Sequence, residues 1–517
     1  MKFLKGTLTT NHDVARNRKN LRFGAAILVS ASLALASTAV SASTASAAAS
    51  GQLIIANAEP ISAAYYDPHS AFGLVDAQLG SLVYDTLLVM DKSGAVSASL
   101  ASSYKRVSKT EVDFVIRTGV KFHDGSALTP ADVVASINRV MAAGSPLAFA
   151  LLAAPGKATA VGNTVKVVTE KPYGALESAL AVLAIVSSDD VAHPDNWKVK
   201  PNGTGPYVFV SNKNNDITVT ENTSYWGTQP LTKTIILRYI EDTQARQSAL
   251  LTGQVDISTR VGPQEIAGVK GNSDFNVYSN MGPPSQIIQI WRDSGPLKDP
   301  ALRRAISYAI DRKTIAAVIG GGMNAVAFNG MPTNMPFYKP AAEHFAYNPS
   351  KAKALIKSLG YYGKVTLTMS TSSLVPKQAE IDQAIVGYLK AVGIAVKVTQ
   401  LEVGKFRSTY PDYDISLNTI ATFDNDPSFS LGLYAGGIGK AIFGWSDPKM
   451  DALFAAQRDD AGKSRAAKVN AAQTYLWNAA RTLWVSDENW VFIANKRVKG
   501  YERSPLVGEA LIVKASV

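Results

Sequence analysis

The chain has 517 residues, no cysteine, 46% apolar and 18% charged residues, which excludes a disordered, collagen-like or disulfide-stapled protein. At roughly 100 to 200 residues per domain, the length suits about three domains. Fifty-two Lys and Arg against forty-one Asp and Glu give a net +11, which by itself would suggest nucleic acid or an anionic membrane as partner.

The charge is unevenly placed. In the first 22 residues Lys2, Lys5, Arg16, Arg18, Lys19 and Arg22 are opposed only by Asp13, a net +5 that leaves +6 for the rest. An apolar run over 23–36 follows, interrupted by Ser30 and Ser32, and Ser/Thr/Ala-rich sequence ends in Ala45-Ser46-Ala47, a form that signal peptidase accepts. A membrane anchor needs about 20 continuous apolar residues, so residues 1–47 are expected to be a signal peptide. Arg18-Lys19-Asn20-Leu21 matches a twin-arginine signal only loosely. With no cysteine to carry a lipid, the mature protein is expected to be free, soluble and periplasmic.

From about Gln52 onward, strand and helix patterns alternate. Strands are expected at 112–117, 164–169, 207–210 and 234–240, each rich in β-branched or aromatic residues. Between the first two, Thr129 as N-cap, Pro130 at the first helical position and Asp132 three past the cap open a helix that buries Val133, Val134, Ile137 and Val140. Asp299-Pro300 opens a second helix, with Ala301, Leu302, Ala305, Ile306, Ala309 and Ile310 on one face. Asn348-Pro349 starts a third helix that ends at Gly360. A fourth turns Ile381, Ala384, Ile385, Tyr388, Leu389 and Val392 inward before Gly393, and a strand over 394–398 follows. This alternation is that of packed α/β lobes.

The chemistry an enzyme would need is sparse. Gly436-Gly437-Ile438-Gly439-Lys440 has Tyr434 where a P-loop needs glycine and Ala441 after the lysine. Gly320-Gly321-Gly322 follows a helix and reads as a helix stop, and no Gly-x-Ser-x-Gly elbow occurs. His12, His69, His123, His193 and His344 lie far apart without metal-ligand spacing, so neither a metal nor another cofactor is expected. Asp189-Asp190, Glu241-Asp242 and Asp459-Asp460 are adjacent carboxylates that read as helix starts or solvated loops. Beyond the first 22 residues the lysines and arginines read as scattered, which speaks against nucleic acid.

Several segments nevertheless resemble a known family. Asp67-Pro68-His69 with 82–88 (Leu-Val-Tyr-Asp-Thr-Leu-Leu) comes first, then 122–134 (Phe-His-Asp-Gly-Ser-Ala-Leu-Thr-Pro-Ala-Asp-Val-Val). Lys171-Pro172-Tyr173-Gly174, Gly203-Thr204-Gly205-Pro206-Tyr207, and Asn222 with Tyr225-Trp226 and Pro230 follow. Arg246, Ala249, Leu250, Gly253, Asp256 and Ile257 continue the series, and Pro296-Leu297-Lys298-Asp299 leads to Arg303-Arg304-Ala305 and Tyr308-Ala309-Ile310-Asp311. From about Leu53 to Tyr501 the chain resembles the extracellular solute-binding proteins of family 5, which deliver peptides and related solutes to ABC importers. Residue by residue these motifs are structural: Gly125 suits a tight turn, and His123 and Trp226 suit a hydrogen-bond network and a core.

The resemblance implies an α/β, two-lobed clamp of the periplasmic-binding-protein type II kind, which binds a peptide or related small solute without changing it and docks to a membrane permease. A monomer is expected. The first lobe would take 48–285, with an inserted subdomain at about 80–190, and the second 286–489, with 490–517 returning to the first. Chain crossings near 285–291 and 489–496 would form the hinge, with Trp291 and Phe72 as cleft-lining candidates beside the alternative of core packing. Peptide-binding members carry an acidic residue four positions before a proline, where it meets the α-ammonium; here Phe423 takes that position before Pro427 and Asp424 follows. Either Asp424 still meets an ammonium or the solute differs, with Phe423 and Phe429 supplying apolar contact; sugars and opines stay open, and nickel is disfavoured by the absence of histidine after His344. A secreted hydrolase with an unrecognised carboxylate pair, or a receptor or chaperone on the same scaffold, is the alternative.

Overall fold

In the computed structural model the described residues are 51–61, 66–70, 74–91, 95–142, 155–292, 294–321, 324–372, 377–421, 426–436, 439, 447–461, 463–501 and 515–517. Residues 1–47, expected to be a signal peptide, and Phe72, Phe423 and Asp424 lie outside them. Ala49–Val517 form one unit by their mutual packing.

In chain order the strands are β1 (Gln52–Asn57), β2 (Leu88–Met90), β3 (Val96–Ala98), β4 (Ala101–Arg106), β5 (Glu111–Ile116), β6 (Gly156–Val161), β7 (Thr164–Thr169), β8 (Tyr207–Lys213) and β9 (Asp216–Glu221). They continue with β10 (Thr234–Tyr239), β11 (Ile257–Ser258), β12 (Phe275–Ile290), β13 (Ala325–Val326), β14 (Val365–Thr371), β15 (Ile394–Gln400), β16 (Ile415–Ala421) and β17 (Thr482–Asn495). The large sheet has the order β15-β14-β16-β12-β17-β11-β1-β10-β9-β8, with β13 also paired to β17. At one end β14, β15 and β16 are mutually parallel; at the other β1 is parallel to β10 and β11. Strands β12 and β17, 16 and 14 residues long, run antiparallel through the middle and belong to both ends.

Separate cores form around this spine. One spans Ile287 to Val485. A second spans Leu87 to Ile185, built on the antiparallel sheet β4-β5-β7-β6 under the helix Pro130–Met141. A third joins Leu53–Tyr84 and Val186–Ile257 to Phe492, Val498 and Tyr501, so the chain end packs against its beginning. Asp256 fastens that return, accepting from Ile54 N at 2.8 Å and from Arg497 Nε at 2.8 Å.

The helix caps follow the sequence signals. Asp132 Oδ2 accepts from Thr129 N and Oγ1, at 2.8 and 2.7 Å, while its other oxygen accepts from Ser188 N and Oγ and ties the subdomain down. Asp299 accepts from Ala301 N at the start of Pro300–Ala309, and Asn348 from Lys351 N at the start of Pro349–Ser358. These bonds satisfy amides that a helix start leaves without partners.

Candidate functional site

The β12–β17 spine breaks its register part-way along. Residues 275–281 of β12 pair with 489–495, and 285–289 pair with 482–487, so Gly282-Pro283-Pro284 face little more than Glu488. Two consecutive prolines cannot donate to a ladder, which is why the pairing opens there. On the same level Ala421, the last residue of β16, pairs with Pro284. Residues 422–425 follow Ala421 in the sequence, and the described chain resumes at Asp426.

Polar side chains gather at this break. Asp487 is fully buried; its Oδ1 accepts from Ser285 Oγ at 2.6 Å and its Oδ2 from Thr333 N at 2.7 Å. Burial raises the Asp487 carboxyl above its ordinary range, against the hydrogen bonds from Ser285 and Thr333. Asn489 N donates to Asn324 Oδ1 at 3.1 Å, and Thr419 Oγ1 donates to Gln286 Oε1 at 3.1 Å. The opposite ends of these amides are unused: Gln286 Nε2, Asn324 Nδ2 and, beside Thr333, Asn334 Oδ1 are buried without a hydrogen-bond partner. A buried amide without a partner costs about 1 to 3 kcal/mol. All three lie near one chain crossing, with Gln286 on the sheet face opposite to Ser285 and Asp487, because neighbours in a strand point to opposite faces.

Asp426, where the described chain resumes, is tied down by several bonds. Asp426 caps the helix Pro427–Gly432 through Ser428 N at 2.8 Å. Its oxygens also meet Arg465 Nη1 at 2.6 Å and Nη2 at 2.5 Å, and the same guanidinium reaches Ser428 Oγ and Gln457 Oε1. Both partners are buried.

The chain matches the family model of bacterial extracellular solute-binding proteins, family 5 Middle, over residues 95–441. It belongs to that family. As a family 5 protein it is the solute-binding component of an ABC importer, capturing solute between two lobes. It is 25% identical over 457 residues to the glutathione-binding protein GsiB of Pectobacterium atrosepticum, covering 86% of this chain and 88% of that one. Among solved structures it is similar to AgaA of A. tumefaciens R10 in complex with agropinic acid, with a TM-score of 0.79, 23% identity, and 90% and 98% of the two chains covered. It is also similar to DppA of Helicobacter pylori in complex with the peptide STSA, with a TM-score of 0.78, 22% identity and the same coverage. These likenesses give a type II periplasmic-binding-protein fold with an extra subdomain in the first lobe.

The family 5 motifs are braces in this structure. His123 Nε2 is 3.0 Å from Gly205 O, and burial lowers its pKa. A Cβ on Gly203 would stand 2.0 Å from Val83 O, so only glycine allows this approach. Asp85, raised to about 6 by burial, accepts from Thr204 Oγ1, Tyr225 OH and Trp226 Nε1 at 2.8 to 3.0 Å. His69, lowered to about 4 by burial, spans Ala184 O and Arg139 Nη1. Among the described residues no group of three or more His, Cys, Asp or Glu is placed to hold a metal ion.

Of the five sequence candidates, Trp291 and Phe429 lie in the same core, around Leu417 and Leu431. Trp291 donates from Nε1 to Ser416 Oγ at 2.6 Å and stacks on Tyr410 with centroids 4.3 Å apart. Phe429 faces inward from the helix Pro427–Gly432 at 1% exposure. Both positions are those of core aromatics. Sequence reading missed Asp487, Gln286 and Asn324, although one signal was present: 486–489 (Ser-Asp-Glu-Asn) interrupts an otherwise apolar strand.

Proposed function

We propose that this family 5 protein takes a peptide or a closely related small solute at the β12–β17 crossing and passes it unchanged to the permease of an ABC importer. The observation that carries this reading is the match to the family 5 solute-binding proteins over residues 95–441; the unpartnered amide ends of Gln286, Asn324 and Asn334 near the crossing are groups of the kind that peptide bonds pair with. The crossing is the boundary between a first lobe of 48–285 with 490–517 and a second of 286–489. Residues 1–47 are a signal peptide, and the exported protein works as a soluble periplasmic monomer without enzymatic activity. No helix among the described residues is long and apolar enough to cross a membrane.

Within 422–425, Asp424 is the partner for a solute ammonium and Phe423 a neighbouring apolar contact. An ammonium buried without a counter-charge costs on the order of 3 to 5 kcal/mol. Mass spectrometry of solute released by denaturation is expected to recover an intact peptide or amine, and glutathione and short peptides are the first ligands for calorimetry. With an ammonium-bearing ligand, Asp424→Asn weakens binding about a hundredfold or more, at roughly 1.4 kcal/mol per tenfold. Unchanged affinity for such a ligand removes Asp424 from the site; recovery of a chemically altered solute favours a hydrolase.

A further inference from the structure

The positive charge that reads as scattered along the sequence gathers in one place in the fold. Residues 344–401 contain seven lysines and no arginine, with Glu380 and Asp382 as the acidic residues within that stretch, a net +5. The whole chain beyond residue 22 carries only +6. Asp382 is buried, so the surface of this unit is more basic still.

Four of these lysines crowd one end of the parallel strands. Lys357 and Lys390 lie in the last turns of the helices Pro349–Ser358 and Gln378–Ala391, and Lys364 immediately precedes β14. The Lys353 and Lys357 ammoniums stand 5.4 and 5.0 Å from the ring centre of Tyr362. That ring crosses Gly393 so closely that a Cβ there would meet it at 2.4 Å, and Gly363 N donates to Gly393 O at 2.9 Å. Tyr362 is nonetheless 39% exposed. Among the described residues none of Lys353, Lys357, Lys364 and Lys390 has a carboxylate within ion-pair distance, whereas Lys351 faces Glu343 at 3.9 Å. Complementing the helix dipoles accounts for Lys357 and Lys390. It does not account for Lys353, Lys364 or the exposed tyrosine.

We infer that this lysine cap around Tyr362 is a docking surface for an anionic lipid bilayer, which holds the protein at the membrane by electrostatic attraction. Lysines with a tyrosine between them are the chemistry of a bilayer interface, where stems and ring contact the headgroup region while ammoniums meet phosphates. The contact needs no lipid-bearing thiol, and the chain has no cysteine. The placement also leaves the solute site free. Strands β14 and β16 run parallel from Lys364 towards the crossing at Ala421, about ten residues of strand, or roughly 30 Å at about 3.3 Å each.

The test is sedimentation of the exported protein, recovered without residues 1–47, with vesicles of phosphatidylcholine alone or with about one-third phosphatidylglycerol. Binding is expected only to the anionic vesicles, falling as salt rises from about 20 to 500 mM because surface charges are screened. Replacing Lys353, Lys357, Lys364 and Lys390 together by Gln weakens binding about a hundredfold or more, at roughly fivefold per lysine. A matched variant with Gln at Lys105, Lys157, Lys200 and Lys270, exposed elsewhere, stays within about threefold of the parent. Equal loss in both variants assigns the effect to net charge and overturns the inference. So does absence of binding by the parent, which would leave any loss of uptake in the first variant to a protein partner.

Discussion

Asp382 lies on the sheet-facing stripe of the helix Gln378–Ala391, between Ile381 and Ile385. Helical periodicity marks that stripe in the sequence, but partition chemistry puts a carboxylate outside it, so only the fold reveals that Asp382 is buried. Neither oxygen has a hydrogen-bond partner, and neither does Thr371 Oγ1. Burial raises the Asp382 carboxyl to about 7; Thr371 and Gln378 stand close enough to oppose this in part. Because the folded pKa exceeds the unfolded one, the neutral acid is favoured by folding below about pH 4, and that advantage is lost as pH rises through 7. Asp85, raised to about 6, acts in the same sense. Asp382→Asn keeps the shape and removes the ionisation, so the variant gains stability over the parent as pH rises from 4 to 8, on the order of 4 kcal/mol at about 1.4 kcal/mol per tenfold. Urea unfolding across that range reads the difference. Parallel curves for parent and variant would show that Asp382 is not the buried acid responsible.

At the scale of elements, what the sequence spelled locally is what it made readable. Thr129-Pro130 with Asp132, Asp299-Pro300 and Asn348-Pro349 each place a side-chain acceptor against the amides of the following turn, and such signals act within four residues. The length of β12 and β17 was not readable, because their ladder joins residues some 200 positions apart. Nor was the cluster at their break, whose members Ser285, Asn324, Thr333 and Asp487 come from distant segments. The brace on Asp426 is of the same kind: Arg465 in the helix Lys463–Ala479 reaches it from 39 positions later in the chain. Removing one member of a buried ion pair leaves the other charge uncompensated and costs about 3 to 5 kcal/mol. Arg465→Met should therefore lower stability by that amount, while Arg465→Met with Asp426→Asn, which keeps the helix cap, should recover much of it. Chemical denaturation of both variants checks this; additive losses would mean that the guanidinium acts through Ser428 and Gln457 instead of through the charge pair.

At the scale of the whole molecule, the subdomain built on the Leu87–Ile185 core reaches across to the helix Pro448–Arg458. Gly174 N donates to Arg458 O at 2.6 Å, satisfying a carbonyl that a helix end leaves without an internal partner. The approach excludes any side chain: a Cβ on Gly174 would stand 1.8 Å from Asp460 O. Lys171-Pro172-Tyr173-Gly174 is thus a motif whose glycine is explained by a contact that sequence cannot show. A clamp that opens about β12 and β17 must break this contact and remake it on closing, and a solute favours closure only by binding the closed state better. Gly174→Ala penalises the closed state alone, so the ligand-free protein keeps its melting temperature while solute affinity falls by the fraction of closed form lost. The expected loss is about tenfold or more. X-ray scattering should show the radius of gyration of the parent falling on saturation with solute, and the variant needing correspondingly more solute for the same decrease. Equal affinities, or a parent whose scattering curve is the same with and without bound solute, would mean that the Gly174–Arg458 contact is permanent and that this protein captures its solute without closing.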